Sequence, residues 1–232
     1  MRRGLRLLGT ALVVCGVGAL AWAVVVWRWQ DPFTALYTKI QQHRLAAQYD
    51  HLVAGYEAPR LQSVALAAVR LAIAQEARRY RLATHQGEAI GRIVVPRLHL
   101  NMVLVDGTDH GSLEKGPGRD LRTYMPGEGR LVYIAGHRTT FLAPFSHIER
   151  LRRGDSVVLR MPYATFVYRI TRHRIVTADD LSVLRSPRHE LVELQACHPR
   201  FFATHRYVVY ALPAKVLPAD GPAYAVKAIA TR

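Results

Sequence analysis

The chain has 232 residues, half of them apolar, and a formal net charge of +15. This composition excludes collagen-like and wholly disordered chains, because enough apolar side chains are present to form a core. The positive charge favours an anionic partner, either nucleic acid or an anionic membrane or cell-wall surface. The arginines are scattered and form no block of about five or six like charges, which argues against nucleic acid. We therefore expect no nucleic-acid partner.

The first 30 residues have the pattern of a membrane anchor. Residues 7–27 carry no charged side chain, and a helix needs about 20 apolar residues to cross a bilayer. Three arginines precede this run and three tryptophans lie towards its far end, as in an interfacial aromatic belt. We predict a short cytoplasmic tip and a transmembrane signal anchor over 1–30, with the rest of the chain outside the cell. Cleavage as a signal peptide stays open, because Ala19-Leu20-Ala21 fits the small-x-small pattern.

Residues 31–86 are predicted to form a helical stalk next to the membrane. Apolar residues recur at spacings of three and four, which is typical of one helix face. Gly55 and Pro59 are predicted to separate two helices. A spacer that holds the next domain away from the membrane is the favoured interpretation of this segment, and a binding role is the alternative.

The composition changes at Gly87, where short β-type runs begin, divided by Gly, Pro and Asp. The tail over 218–232 carries little pattern, so we place the folded domain at 87–217. Short helices are predicted over 111–115 and 143–152. Seven strands separated by turn signals predict an all-β sandwich or barrel. The predicted strands are Ile90–Val95, His99–Asp106, Arg130–Ala135, Ser156–Met161, Thr165–Val176, Leu191–Ala196 and Arg206–Leu212.

Three residues at strand ends are candidates for chemistry. Cys15 lies in the predicted anchor, so a disulfide with Cys197 is not expected and Cys197 is a single thiol in the folded part. His198 is adjacent in sequence, but neighbouring side chains of a strand point to opposite faces. His137 follows an apolar strand and Gly136, and it can supply the histidine instead. Arg206 opens the last strong strand, where it can face the same cleft as Cys197.

Together these three side chains meet the needs of acyl transfer through a thiol. A thiolate attacks a carbonyl group, a histidine carries protons, and a cation stabilises the oxyanion that develops. Positive groups near a thiol also lower its pKa and make the thiolate available. Neither a His-Glu-x-x-His pattern nor a paired-Cys pattern is present, and no carboxylate cluster reads as a calcium loop. We therefore expect neither a metal nor a cofactor.

At these positions the chain resembles the sortases, cell-surface transpeptidases of Gram-positive bacteria that are built on an eight-stranded β-barrel. The resemblance covers roughly residues 88–216. It is carried by Ala135-Gly136-His137-Arg138, by Leu194-Gln195-Ala196-Cys197 and by Arg206. The segment from His137 to Phe145, with Cys197-His198-Pro199, is most similar to the class E sortases of high-GC actinobacteria.

The resemblance implies roles for individual residues. Cys197 would be the nucleophile, His137 the general acid and base, and Arg206 the residue that stabilises the oxyanion. It further implies a C-terminal LPxTG- or LAxTG-like sorting signal as substrate, cleaved after Thr, and an amine of a cell-wall precursor or pilin as acceptor. The residues that the resemblance places near the substrate are Thr139, Thr140, Phe141, Ala196 and His198.

The chain departs from the family pattern just before the nucleophile. Sortases often have Thr-Leu-x-Thr-Cys there, whereas this chain has Glu193 and Ala196 in place of the two hydroxyl residues, and Phe141 stands where class E members often have Tyr. These departures favour one alternative, a catalytically weak or inactive sortase fold that acts as a cell-envelope scaffold. An exported cysteine peptidase is a second alternative. An L,D-transpeptidase is less consistent with the sequence, because its Ser-His-Gly-Cys context is missing.

Overall fold

The computed structural model describes residues 2–29, 32–58 and 65–226. Pro59, which we assigned to a helix break, and the end of the tail over 227–232 lie outside the described residues. The N-terminal part is helical, as the apolar periodicity predicts. It comprises α1 (Arg2–Trp29), α2 (Pro32–Ala54) and α3 (Leu66–Ala83). Residues Arg3–Val25 of α1 are long and apolar enough to span a membrane, and none of this stretch is buried.

The remainder is a β-rich domain with one short helix, α4 (His110–Lys115). Its strands are β1 (Ala89–Val95), β2 (Leu100–Asp106), β3 (Gly118–Arg119), β4 (Leu131–Ala135), β5 (Ser156–Arg160), β6 (Ala164–Thr177), β7 (Leu191–His198), β8 (His205–Pro218) and β9 (Tyr224–Ala225). Short 3-10 turns lie at Pro96–Leu98, Ile148–Arg150 and Leu181–Leu184.

The first eight strands close into a barrel in the order β6-β5-β1-β2-β3-β4-β7-β8, because β8 also pairs with β6. The pairs β2–β3 and β4–β7 are parallel, whereas the others around the barrel are antiparallel. The two-residue strand β9 adds to the outer edge of β8. The expected eight-stranded β-barrel is thus confirmed.

Alternation along the strands places one set of side chains in the barrel and the other on its outer face. Val192, Leu194 and Ala196 of β7 belong to the main core cluster. The outward residues Leu131 and Tyr133 of β4 pack with Val208 and Tyr210 of β8 in a second apolar cluster. A continuous outer surface therefore runs across β4, β7 and β8, and the loop between β6 and β7 lies against it through Val183.

The helices α2 and α3 pack against this barrel. The side chain of Gln42 bonds the backbone of β2, with Oε1 accepting from the Val103 amide at 2.7 Å and Nε2 donating to the Val103 carbonyl at 3.1 Å. Tyr49 Oη donates to the Arg160 carbonyl at 2.8 Å. Ile73 and Tyr80 of α3 belong to the main core cluster. The predicted stalk is helical, but its helices contact the barrel, so the simple spacer that we favoured does not describe it.

Most predicted strands agree with the structure to within a few residues at each end. The exception is the last predicted strand, Arg206–Leu212, because β8 continues to Pro218. The strands β3 and β9 were not predicted, since they have two residues each and carry no period that a pattern can reveal. The predicted helix over 143–152 is wrong, since only the 3-10 turn Ile148–Arg150 forms there. A run of three left-handed residues, from Phe141 to Ala143, turns the chain before that segment. The division of the chain at 86/87 stays a prediction.

Candidate active site

One cleft on the outer face of the barrel contains all three predicted catalytic side chains. It has a volume of about 280 Å³, and Cys197, His137 and Arg206 line it. The floor comes from β4 and β7 through Tyr133 and Gln195, whose side chains are joined by a 2.8 Å hydrogen bond from Tyr133 Oη to Gln195 Oε1. Ala135 and Gly136, at the end of β4, also line the cleft. The remaining lining comes from α4 and from the segments that follow β2, β3 and β6, at Thr108, Leu113, Asp120, Arg122, Ala178, Asp180, Leu181, Val183 and Leu184.

The pairing of β7 with β8 explains why Cys197 and Arg206 share this cleft. The two residues are direct partners in the antiparallel register. Directly opposed side chains lie on the same face of a sheet, with Cβ atoms about 4.5–5.5 Å apart. The nine-residue separation therefore covers the hairpin loop 199–204 and the strand ends beside it, which bring a thiol and a guanidinium to one face.

His137 reaches the cleft through the parallel pairing of β4 with β7. The register joins Ala135 to Gln195, and the amide of Gly136 then donates to the Gln195 carbonyl at 3.0 Å. Two residues further along each chain, the same register places His137 level with Cys197. Gly136 is required by a close approach, because a Cβ there would lie 2.7 Å from a ring carbon of Phe145.

The environment of His137 favours its neutral form. Burial lowers the pKa of the imidazole from its usual value, and the positive charge of His110 adds to this, while Glu114 opposes it. Its Nε2 is buried and has no hydrogen-bond partner among the described residues. The ring of Phe141 covers one side, with a centroid distance of 4.9 Å. A neutral imidazole can accept a proton from a thiol, so this environment suits a base.

The guanidinium of Arg206 is held from behind by the loop that precedes β8. Its Nη1 donates to the carbonyls of Ala203 at 2.7 Å and His205 at 3.0 Å. Within the described residues its Nε and Nη2 make no hydrogen bond. These two donor groups are therefore available to an anionic oxygen in the cleft.

Arg138 is a part of the site to which the sequence analysis gave no role. Its Nη1 donates to the Cys197 carbonyl at 3.0 Å and lies 2.9 Å from Nδ1 of His198. Its Nη2 forms an ion pair with Glu149 at 2.8 Å. The side chain is buried. Its position next to His137 could have suggested a role in the site. Nothing in the sequence, however, indicates that this arginine is buried.

The structure separates the five residues predicted to lie near the substrate. Phe141 contacts His137 at the edge of the cleft. Thr139 and Thr140 are partly buried in the same loop and do not line the cleft. Ala196 is fully buried in the barrel core because strand alternation turns it inward. His198 lies on the opposite face from Cys197, against Arg138 and Tyr207. Of this set, Phe141 is the residue whose side chain contacts a catalytic candidate, His137.

Glu193 lies in a second recess, of about 700 Å³, on the other side of the β6–β7 loop. Arg172 and Arg174 also line this recess. Burial raises the pKa of the Glu193 carboxyl to about 8, against the opposing effect of the two arginines. Its Oε2 has no hydrogen-bond partner among the described residues. Neither Glu193 nor Ala196 touches the cleft, although both interrupt the family pattern before the nucleophile.

No ligands for a metal are gathered at the cleft or elsewhere in the described part of the chain. Residues 2–29, 32–58 and 65–226 contain no group of three or more His, Cys, Asp or Glu side chains placed to hold a metal ion. The charged or titratable side chains that line the cleft include Cys197, His137, Arg206, the Asp120–Arg122 ion pair at 2.7 Å and Asp180. Such a set fits acyl transfer through a thiol.

Comparison with known proteins gives a consistent result. Residues 93–214, more than half of the chain, match the sortase domain family. The chain is 34% identical to sortase D of Bacillus subtilis over 129 residues, which cover 53% of this chain and 63% of the relative. It is 26% identical to sortase SrtE1 of Streptomyces coelicolor over 140 residues, which cover 53% of this chain and 40% of the relative. The chain thus spans less than two thirds of either relative.

A solved structure supports the fold. The sortase D5 transpeptidase of Clostridium perfringens matches with a TM-score of 0.60 and 21% identity, over 75% of this chain and 98% of the other. The resemblance to class E is supported in part, since SrtE1 matches, but sortase D matches at higher identity. From the family match over residues 93–214 we conclude that the chain belongs to the sortases, a family of cysteine transpeptidases.

Proposed function

We propose that the chain is a membrane-anchored sortase that joins secreted proteins to an amine on the cell surface. In this proposal residues 1–30 form the cytoplasmic tip and the transmembrane anchor, and residues 31–86 form the juxtamembrane segment. Residues 87–217 are the catalytic domain, outside the cell, and residues 218–232 are a tail. The observation that carries the proposal is the single cleft in which Cys197, His137 and Arg206 meet.

The first step is the attack of the Cys197 sulfur on the Thr carbonyl carbon of an LPxTG- or LAxTG-like sorting signal. The neutral His137 takes the thiol proton as the sulfur–carbon bond forms. Arg206 stabilises the oxyanion, since guanidinium donors aimed at a developing charge lower the barrier. The C–N bond between Thr and Gly then breaks. The Gly amine leaves with the proton held by His137, and a thioester to Cys197 remains.

The second step reverses the proton movements. An amine of a cell-wall precursor or pilin attacks the thioester carbonyl, and His137 accepts the proton that the amine loses. The carbon–sulfur bond breaks, and the thiolate of Cys197 recovers a proton from His137. The lowered pKa of His137 supports this role, because a base that is neutral near pH 7 can act in both steps.

The test uses the full chain in detergent micelles with sorting-signal peptides and a soluble amine acceptor. We expect cleavage after Thr and a ligated product, and we expect Cys197→Ala to abolish both. Cys15→Ala is the matched control, because this thiol is in α1, away from the cleft, and it should retain the wild-type rate. Equal turnover by the Cys197→Ala chain would disprove the proposal.

The alternative of an inactive scaffold drew its support from Glu193 and Ala196. Neither side chain lines the cleft, so these departures leave the catalytic set intact. Reaction of Cys197 with a thiol-directed probe at neutral pH separates the two functions. A thiol at position 197 that does not react in the folded chain would favour the scaffold.

A further inference from the structure

The first half of α2 has two faces with different partners. One face lies on the barrel: Thr38 is buried and donates to the Glu114 carbonyl at 2.7 Å, and Leu45 and Tyr49 are buried further along the helix. The opposite face carries four large apolar side chains, which we call the apolar stripe. The apolar stripe consists of Phe33, Leu36, Tyr37 and Ile40, at the spacing of one helix face.

In the part of the chain that the structure describes, the side chains of the apolar stripe are exposed. Phe33 is 72% exposed and Leu36 is 59% exposed, and both Tyr37 and Ile40 are exposed by more than two fifths. A helix that already buries its other face in a protein has no structural need for a second apolar face. An additional partner is therefore expected on this side.

Basic side chains accompany the apolar stripe. Lys39, His43 and Arg44 line a shallow surface recess together with Leu36 and Ile40. Apolar residues on one side with lysine and arginine beside them are typical of helices that lie in the interface of an anionic bilayer. The charge of this region is complementary to phospholipid phosphates.

The position of the helix along the chain identifies the partner more closely. The α2 helix begins at Pro32, soon after α1 ends at Trp29. The ring of Phe33 contacts the ring of Trp22, with a centroid distance of 5.7 Å. Trp22 is within the stretch that could cross a membrane. The first turn of α2 is thus beside the end of that stretch.

We propose that the apolar stripe lies in the interface of the anionic phospholipid bilayer that α1 crosses, with Lys39, His43 and Arg44 at the headgroup phosphates. This inference rests on the membrane anchoring in the proposed function. It assigns α2 a lipid-binding role, which neither the spacer interpretation nor the family match supplies. The barrel, docked on the other face of α2, is then held in one orientation on the membrane.

The orientation places the cleft near the lipid. The Thr34 hydroxyl, one residue after Phe33, accepts a hydrogen bond from the Phe141 amide at 3.1 Å. The Phe141 ring in turn contacts His137. A short path of contacts therefore links the apolar stripe to the catalytic histidine. The consequence is that an amine presented by a lipid-linked acceptor would reach the cleft without leaving the membrane surface.

The test measures contact with lipid directly in the full chain, reconstituted in vesicles of phosphatidylglycerol and phosphatidylcholine. Leu36→Cys, in a background of Cys15→Ser and Cys197→Ala, is labelled with bimane, and lipids that carry nitroxide groups act as quenchers. We expect quenching at position 36 to be at least about threefold stronger than at position 71. Leu71→Cys in the same background is the matched control, because Leu71 is an equally exposed leucine on α3, beside Val216 in the second half of β8.

Several outcomes would overturn the inference. Equal quenching at positions 36 and 71 would show that the apolar stripe is away from the lipid. Self-quenching between labelled copies, with no quenching by lipid, would assign the apolar stripe to a contact between two chains. Equal quenching at position 36 in vesicles of phosphatidylcholine alone would contradict the role of the anionic headgroups.

A functional measurement tests the orientation separately. The double variant Leu36→Asp/Ile40→Asp should transfer a sorting-signal peptide to a soluble glycine peptide at the wild-type rate. Its transfer to a lipid-linked amine in vesicles should fall at least about fivefold. If the double variant matches the wild-type rate with the lipid-linked acceptor as well as with the soluble one, the proposed orientation is wrong. If the wild-type chain cleaves no sorting peptide, the proposed function fails, whereas the quenching result still decides whether α2 contacts lipid.

Discussion

The carbonyl oxygen of Cys197 accepts a hydrogen bond from the guanidinium of Arg138, with 3.0 Å between the oxygen and Nη1. The second arm of the guanidinium pairs with Glu149, in the 3-10 turn after the His137 loop. Arg138 therefore ties the end of β7 to the loop that carries the histidine. We infer that it positions the nucleophile relative to the base without itself lining the cleft.

The first prediction concerns Arg138→Lys, which keeps the charge but removes the forked geometry of the guanidinium. We expect kcat for peptide cleavage to fall about tenfold or more, because hydrogen bonds to charged groups contribute about 1.5–3 kcal/mol. KM should change little, since Arg138 does not line the cleft. Steady-state kinetics of the full chain in micelles measures both constants.

Arg79→Lys is the control for this variant. Arg79 also pairs with a glutamate, Glu76, but its side chain is 65% exposed, and exposed ion pairs contribute about 0–1 kcal/mol. It should leave kcat unchanged. A rise in KM with constant kcat for Arg138→Lys would contradict positioning and would indicate a substrate contact.

The second prediction concerns Gly136→Ala. The added Cβ would lie 2.7 Å from a ring carbon of Phe145, which is fully buried. The ring must shift or the backbone before His137 must move, at a cost of about 1–3 kcal/mol for overpacking. We expect a lower unfolding midpoint and slower cleavage. Thermal unfolding monitored by circular dichroism, together with the cleavage assay, measures these effects.

Gly111→Ala serves as its control, because the nearest atom to the added Cβ is Asp109 Oδ1 at 3.5 Å, an ordinary contact. It should leave both the midpoint and the rate near the wild-type values. Unchanged stability in Gly136→Ala would mean that Phe145 yields freely and that the glycine is not required by packing.

Much of this arrangement follows from local pattern. The strand ends at Ala135 and near Cys197 follow from apolar runs that stop at Gly and Pro, and the periodicity predicted the long helices. Alternation excluded His198 as the partner of the thiol, and the structure places it on the other face. The same alternation applied backwards along β7 would have placed Gln195 in the cleft and Ala196 in the core.

The remaining features depend on contacts between distant parts of the chain. Nothing local indicates that Arg138 is buried between Cys197 and Glu149, because that burial needs three separate segments to meet. The two-residue strand β3 exists only through its partners β2 and β4. The docking of α2 on β2 through Gln42 is similarly invisible in the sequence, where nothing marks this glutamine as a contact to a distant strand.

The third prediction is that His137 titrates below its usual pKa of 6.5. Burial disfavours the charged form in the folded chain, so the unfolded chain binds more protons as the pH falls through 6.5. Stability is therefore lost on acidification. Replacing the imidazole in His137→Gln should make the decline of the unfolding midpoint between about pH 7 and pH 5 less steep.

His85→Gln is the matched control, because the His85 side chain is 80% exposed. It should leave the decline of the unfolding midpoint between about pH 7 and pH 5 unchanged. An NMR titration of the histidine ring protons in micelles measures the pKa of His137. Its signal is assigned as the one that is missing from the spectrum of His137→Gln. A midpoint above 6.5 would contradict a neutral base and would imply a histidinium in the resting enzyme.

The fourth prediction concerns the buried carboxyl of Glu193, whose pKa burial raises to about 8. In the unfolded chain the Glu193 carboxyl loses its proton near the usual pKa of 4.5, whereas in the folded chain it keeps the proton up to about pH 8. Between these two pKa values the folded chain therefore binds more protons than the unfolded chain. Stability should fall as the pH rises through this window, by on the order of 1 kcal/mol per pH unit at most. Glu193→Gln, which cannot ionise, should flatten that decline.

Unfolding midpoints from about pH 6 to pH 9 measure the effect, with Glu88→Gln as the control because the Glu88 side chain is 53% exposed. Glu88→Gln should follow the wild-type curve. Peptide cleavage at neutral pH should be unchanged in Glu193→Gln, since this carboxyl lines the recess beyond the β6–β7 loop and not the cleft. A loss of cleavage with normal stability would instead show that the residues before Cys197 act on the substrate, as the family pattern first suggested.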